Sequence, residues 1–221
     1  MKRLIEGALR FQGEVYPAHR DLFRELASTQ QPDTLLITCS DSRVVPDLIV
    51  QAKPGDVFIC RNAGNIVPSY GDVSGGVSAT IEYAVLALNV SHIIICGHSD
   101  CGAMKALIHP EKLHGMPNVT RWLRNAAPAD AIVRESRGHL DEPARLAALI
   151  EENVLAQLDN LRTHPYVAAR LRSGALALHG WVYDIESGAI RVYNRNGETT
   201  SEQPSFVALS HPTTEGAEIH V

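Results

Sequence analysis

The stretch "TCSDSRV", residues 38–44, sets a thiol, a carboxylate and a guanidinium on alternate positions: Cys39, Asp41 and Arg43. It follows the apolar run "LLI", so it falls where a short buried strand is expected to end. A strand entering a turn needs none of these groups. A second reactive stretch, "GHSDC", follows the apolar run "HIII" and its cysteine, and supplies His98 and Cys101. In open α/β sheets functional groups gather at the carboxyl ends of strands. If the two runs are neighbouring parallel strands, Cys39, His98 and Cys101 meet as a set of two sulfurs and one nitrogen.

Such a set suits zinc, which prefers tetrahedral nitrogen and sulfur ligation. Three protein ligands leave one position open, the mark of a catalytic rather than a structural site. Asp41 stands close enough to Cys39 to reach that position, and Arg43 competes for it through a two-point guanidinium–carboxylate pair. The favoured arrangement makes Asp41 an oriented hydrogen-bond acceptor beside the metal; the alternative is a closed, inactive zinc capped by Asp41. Zinc with an open position yields hydroxide near neutral pH, because the pKa of its water falls to about 7. The substrate would then be a small electrophile. Taken alone, an "HxxC" is a helix start with a buried thiol in about half of cases, and "CSDSR" could be a capped turn. Joined at two strand ends, they are hard to explain as packing. The glycine-rich "GDVSGG" lacks the Lys-Ser/Thr ending of a phosphate loop, and no "HExxH" is present.

The totals narrow the classes further. A chain of 221 residues with 45% hydrophobic and 20% charged residues is ordinary globular composition. Its net charge of −5 offers no basic surface, which excludes nucleic acid as a partner. No apolar run approaches the roughly 20 residues that span a bilayer, so no membrane partner is expected. The first residues carry charges of mixed sign and no apolar signal block, which points to a cytoplasmic protein or one whose leader has been removed. Of the four cysteines, Cys60 and Cys96 read as buried apolar thiols, and a disulfide framework is not expected.

The elements that must position these groups follow from periodicity. Residues 1–29 read as an amphipathic helical arm broken near Pro17, with apolar surface that must dock on its own domain or a second subunit. Strands are expected at "TLLITC", in "AKPGDVFICRN" and at "SHIIICG", with a helix from about Val77 and another after "HSDCGAM". Short helices punctuated by Pro128 fill 117–138. A long helix runs from about Pro143 to Thr163, and "HPYVAARLRSG" is a helix stopped by Gly174. "ALALHGWVYDIESGAIRVYN" reads as a β-hairpin turning at "ESG". The expected fold is α/β, a mainly parallel central sheet with flanking helices, a C-terminal antiparallel hairpin and an N-terminal helical arm. Residues 1–221 read as a single domain.

Five motifs in order, "CSDSRV", "PGDVFICRNAGNIVP", "GGVSATIEYAV", "IIICGHSDCGAM" and "LHGWVYDIESG", resemble the β-class carbonic anhydrases across about residues 1–195. "RNAGNIVPSYG" and "HGWVYDIESG" are similar to the bacterial branch associated with cyanate degradation. The resemblance implies one zinc ion per chain on Cys39, His98 and Cys101, with Asp41 and Arg43 as a catalytic dyad. It implies a substrate pocket lined by Gln30, Phe58, Tyr83 and Gly102. Because part of that pocket comes from a partner subunit in the family, it implies a homodimer or a higher even-numbered homo-oligomer. A subgroup has a bicarbonate-locked off-state that needs a tryptophan where this chain has Leu36, although Arg61 and Tyr183 match its other residues; the open site is therefore favoured.

The implied reaction is the reversible hydration of carbon dioxide to bicarbonate and a proton, with zinc hydroxide attacking carbon dioxide and the Asp41–Arg43 dyad orienting it. Three rivals stay open: hydrolysis of carbon disulfide or carbonyl sulfide at the same site, a structural zinc in a binding module, and a Cys101–His98 nucleophilic hydrolase, the weakest on geometry.

Overall fold

The computed structural model describes residues 1–71, 75–194 and 205–209. The chain opens with an arm of three helical pieces, α1 (Lys2–Arg10), α2 (Tyr16–Ala18) and α3 (Arg20–Leu26), with a π-helical stretch over Phe11–Val15 joining the first two. Pro17 lies inside this continuous right-handed run, just after the π-helical stretch, and the break falls instead at His19. None of these pieces buries a residue, although Leu4, Ile5, Leu9, Phe11 and Val15 are all exposed. Phe11, Tyr16 and Phe23 pack their rings against one another within the arm.

Then come β1 (Thr34–Cys39), α4 (Pro46–Val50), β2 (Val57–Asn62), α5 (Gly76–Leu86), β3 (His92–His98), α6 (Gly102–Ile108), α7 (Pro117–Leu123), α8 (Ala127–Arg137), α9 (Glu142–Thr163), α10 (Pro165–Arg172), β4 (Ala177–Tyr183), β5 (Ile190–Asn194) and β6 (Ser205–Ala208). The six strands lie in the order β2-β1-β3-β4-β5-β6. The first four run parallel; β5 and β6 are antiparallel additions. The expected C-terminal hairpin is therefore present, and β6 extends it by a strand that the sequence pattern did not announce. Its turn is built by Asp184, whose carboxylate accepts from the Ser187 backbone N–H and hydroxyl at 2.8 and 2.6 Å.

The inner strands β1 and β3 are short, nearly continuous apolar runs, as strands covered on both faces must be. Leu35, Ile37, Ile93 and Ile95 are fully buried. The principal cover on one face is α9, started by Asp141, whose side chain accepts from Ala144 N–H at 3.0 Å, with Pro143 in its first turn. It approaches β3 and β4 closely because two glycines face it: a Cβ on Gly97 or Gly180 would come within 2.9 Å of the Val154 methyls. Cys60 and Cys96 lie inside β2 and β3, buried; burial pushes the Cys96 thiol up to about 12, so it behaves as an apolar side chain. Among the described residues no helix is long and apolar enough to cross a membrane.

Candidate metal centre

The strand order reverses direction at β1 and β3: from β1 the chain first goes outward to β2, then crosses back to β3 on the other side. Such a switch point opens a crevice at the carboxyl ends of the two strands. Cys39 is the last residue of β1 and His98 the last of β3, with Thr38 in register with Cys96. Cys101 caps the start of α6, one short turn beyond His98. The fold thus brings together the two sequence-distant stretches: the ligand atoms of Cys39, His98 and Cys101 all lie within 4.8 Å of one another, and all three residues are buried.

These atoms fit a zinc ion by their chemistry. His98 Nδ1–H donates to the Ser99 carbonyl at 2.8 Å, which fixes the tautomer and leaves the Nε2 lone pair free. That Nε2 is buried and has no hydrogen-bond partner, a costly state for a nitrogen with nothing to bind. Cys39 is drawn down chiefly by the Cys101 thiol that donates to it, with help from the Gly64 N–H, against the opposing effect of burial. Cys101 goes up because it faces the Cys39 thiolate and is itself buried. Two sulfurs this close favour one negative charge between them, and a dication on both would favour the second.

Beside the cluster stands a carboxylate held by a fork. Arg43 Nε donates to Asp41 Oδ1 at 3.0 Å and Nη2 to Oδ2 at 2.8 Å, while the Arg43 backbone N–H reaches Oδ1 at 3.0 Å. The guanidinium holds the Asp41 carboxyl well below the usual carboxylate range, and the pairing raises Arg43 in return. Asp41 Oδ2 lies 4.0 Å from His98 Nε2. The remaining face of Arg43 is held by Asp100, with Nη1 to Oδ2 at 3.0 Å and Nη2 to the carbonyl at 3.3 Å, and Asp100 in turn pairs with Lys105. Asp100 adopts φ +60, a left-handed conformation that aspartate tolerates better than most residues.

The loop after β2 supports the turn that carries Asp41. Arg61 donates from Nε to the Cys39 carbonyl at 3.1 Å and from Nη2 to the Asp41 carbonyl at 2.8 Å. Asn62 closes the loop by exchanging two bonds with the Ile66 backbone, at 2.9 and 2.7 Å. Asp100 and Lys105 were not among the residues the sequence pattern singled out. A signal was available in "HSDC", where an acid stands between two ligand candidates.

The four residues assigned to a substrate pocket fall in two places. Gly102 adjoins Cys101, and a Cβ there would meet no atom within 4 Å, so the chain's own packing does not require glycine. Gln30 is exposed and precedes the amino end of β1, at the opposite end of that strand from Cys39. Phe58 lies in register with Leu35 near the same end and packs on Tyr83, ring centroids 6.0 Å apart. Tyr83 is itself 49% exposed. One chain therefore does not bring Gln30, Phe58 and Tyr83 to its own cluster.

A doubly covered, mainly parallel sheet with a Cys-His-Cys cluster at its switch point defines an α/β protein with a candidate transition-metal site. The family model described as carbonic anhydrase matches residues 34–190. A carbonic anhydrase of Pseudomonas aeruginosa is 56% identical over 190 residues, 86% of each chain. Carbonic anhydrase 1 of Escherichia coli O157:H7 is 56% identical over 194 residues, 88% of each. The solved β-carbonic anhydrase CcaA superposes with a TM-score of 0.90 at 44% identity, covering 95% of this chain and 99% of that one. The chain belongs to the β-class carbonic anhydrase family, and it is an enzyme of that family.

Proposed function

We propose that the protein catalyses the reversible hydration of carbon dioxide to bicarbonate and a proton, at a zinc ion held by Cys39, His98 and Cys101, one ion per chain. The observation that carries this reading is the buried cluster, with ligand atoms within 4.8 Å of one another, beside a carboxylate that Arg43 grips at both oxygens. Zinc with three protein ligands and one open position acidifies a bound water to about pKa 7. The chain's own residues do the rest. Asp41 stays ionised and accepts the hydrogen bond of the attacking oxygen, which turns a lone pair toward the substrate carbon. Arg43 keeps Asp41 charged and turned away from the ligand position. The amide of Gln30 donates to the oxygen on which negative charge develops. Phe58 and Tyr83 form a dry wall suited to an apolar gas, and the bare Gly102 leaves room beside the ligands. The released proton passes to solvent buffer.

Because Gln30, Phe58 and Tyr83 lie away from their own cluster, we infer that they serve the site of a second subunit, so that the smallest active unit is a homodimer. The arm over residues 1–29, whose helices have no fully buried residue, supplies apolar surface for that contact. A solved tetrameric β-carbonic anhydrase of Sordaria macrospora, 31% identical with a TM-score of 0.78 over 86% of this chain and 95% of that one, supports an even-numbered assembly. We take residues 1–221 as one domain, the location as cytoplasmic, and the closest branch as that associated with cyanate degradation, the last on "RNAGNIVPSYG" and "HGWVYDIESG".

Stopped-flow carbon dioxide hydration on zinc-loaded and chelated protein tests the reading. Activity in the first and its loss in the second is expected. Zinc-loaded protein inactive across pH 7–9 overturns it.

A further inference from the structure

Long helix α9 carries an unusual stripe. Asn153, Gln157 and Asn160 stand at i, i+4 and i+7, on the face turned to the core, where apolar residues are the rule. Asn153 and Gln157 are fully buried. Burying an amide costs free energy unless its polar atoms are bonded, and here three of the bonds lead to one loop, while Gln157 Nε2 also donates to the Asn125 carbonyl at 3.4 Å. Asn153 Nδ2 donates to the Gly64 carbonyl at 3.0 Å, Gln157 Oε1 accepts from Val67 N–H at 2.8 Å, and Asn160 Nδ2 donates to the Val67 carbonyl at 2.8 Å. The amides also brace one another: Gln157 Nε2 donates to Asn153 Oδ1 at 2.9 Å and Asn160 Nδ2 to Gln157 Oε1 at 3.1 Å.

The loop so held presents one backbone N–H to the candidate metal centre. Gly64 N–H points at Cys39 Sγ, 3.4 Å away. The carbonyl of that same peptide plane belongs to Ala63, and it accepts from Trp122 Nε1–H on α7 at 2.8 Å. The plane is thus pinned at both ends, by the indole on one side and the sulfur on the other. A donor on the carbonyl also polarises the peptide and strengthens its N–H. Gly64 sits at φ +83, and a Cβ there would come within 2.9 Å of Ala103 Cβ, so the loop is wedged against α6 as well.

We propose that Trp122 and Asn153 are positioning residues for the metal centre: they fix the two peptide planes flanking Gly64 so that its N–H bonds the Cys39 thiolate and tunes that sulfur as a metal donor. The inference rests on the metal-site reading above. Thiolate ligands lose electron density to hydrogen-bond donors, and the groups that aim such donors govern metal affinity as strongly as about 10–100-fold. A stripe serving packing alone would have no reason to end on the peptide directly after the one that faces the sulfur.

The test uses full-length protein with cobalt(II) in place of zinc, which reports the sulfur donors through a thiolate-to-metal charge-transfer band. Trp122→Phe keeps an aromatic side chain but removes the indole N–H together with the five-membered ring; Asn153→Ala removes the second anchor without touching the indole and serves if the first variant does not fold. In either folded variant the band is expected to move to lower energy and cobalt release to a chelator to quicken about tenfold, with far-UV circular dichroism unchanged. A folded variant with wild-type band and release rate overturns the inference. Should the wild-type protein itself show no thiolate-to-cobalt band, the metal-site reading fails and takes this inference with it; an unmoved band on a wild-type protein that has one fails the inference alone.

Discussion

The two ends of the parallel sheet are built to different standards. At the carboxyl end, around Cys39, His98 and Cys101, the groups are buried and the neighbouring charges are matched, Asp41 to Arg43 and Asp100 to Lys105. At the amino end Gln30 lies bare, Tyr83 stands half-exposed on Phe58, and Leu86, one turn further along α5, is exposed as well. The metal cluster and its paired charges come from one chain, and the other end presents exposed apolar side chains. On the function proposed above the contrast is a division of labour, with metal chemistry assembled in one chain and the substrate wall lent across an interface.

The largest expected effect comes from breaking the carboxyl end. His98→Ala removes the nitrogen that has no other partner, and should abolish both zinc binding, read by metal analysis, and carbon dioxide hydration. Asp41→Asn should separate chemistry from metal binding. Zinc stays, while hydration falls by about 10³, in the range for a lost proton-handling group. Loss of zinc in that variant would make Asp41 a ligand instead. Asp41 is held far below the usual carboxylate range by Arg43, so its protonation does not shape the rate between pH 6 and 9.

How much of this could be read beforehand follows the same division. The β1 and β3 runs, "TLLITC" and "HIIICGH", announce buried parallel strands by their unbroken apolarity, and the reactive residues at their ends follow from where parallel sheets place function. The strand β6 was not legible, because "SFVA" is too short and too exposed to carry a period. Asp100 escaped notice because its contact with Arg43 bridges 57 residues and exists only once β1 and β3 are side by side. The amide stripe on α9 had a local signal, three amides at helical spacing amid leucines, but its target, the Gly64 loop, lies 89 residues earlier. That Gln30 ends up at the far end of β1 from Cys39 follows from strand direction alone.

Breaking the amino end should have a smaller and different effect. Deleting residues 1–26 removes a segment with no fully buried residue, so the fold and the zinc content should persist. The assembly should shrink to monomers by light scattering, and hydration should fall by about 100-fold, the scale of one lost oxyanion donor. A truncated monomer with full activity would show that the wall is not shared between subunits. Tyr83→Glu should act in the same direction by placing charge on the apolar patch.

The smallest effect concerns stability rather than rate, and it separates the two ends by pH. His179, at the amino end of β4, is buried against His92, with His92 Nδ1 and His179 Nε2 3.0 Å apart. One ring donates and the other accepts, so the pair cannot hold two protons between the rings. Burial, and then the charge of His92, push His179 down to about 4 from its ordinary 6.5. Its folded pKa is thus below its unfolded one, and between about pH 6.5 and 4 the unfolded chain binds the extra proton. Stability from this group is whole above pH 6.5 and declines as pH falls through that window, by about 3 kcal/mol at the upper bound. His164, also lowered by burial, adds in the same sense. The midpoint of thermal unfolding should therefore drop from pH 6.5 to 4.5, and His179→Gln should flatten part of that slope while leaving zinc content at pH 8 unchanged. An unchanged slope in the variant would move the acid sensitivity to the carboxyl end, where thiolates reclaim protons, and the contrast between the two ends would then lie in chemistry alone.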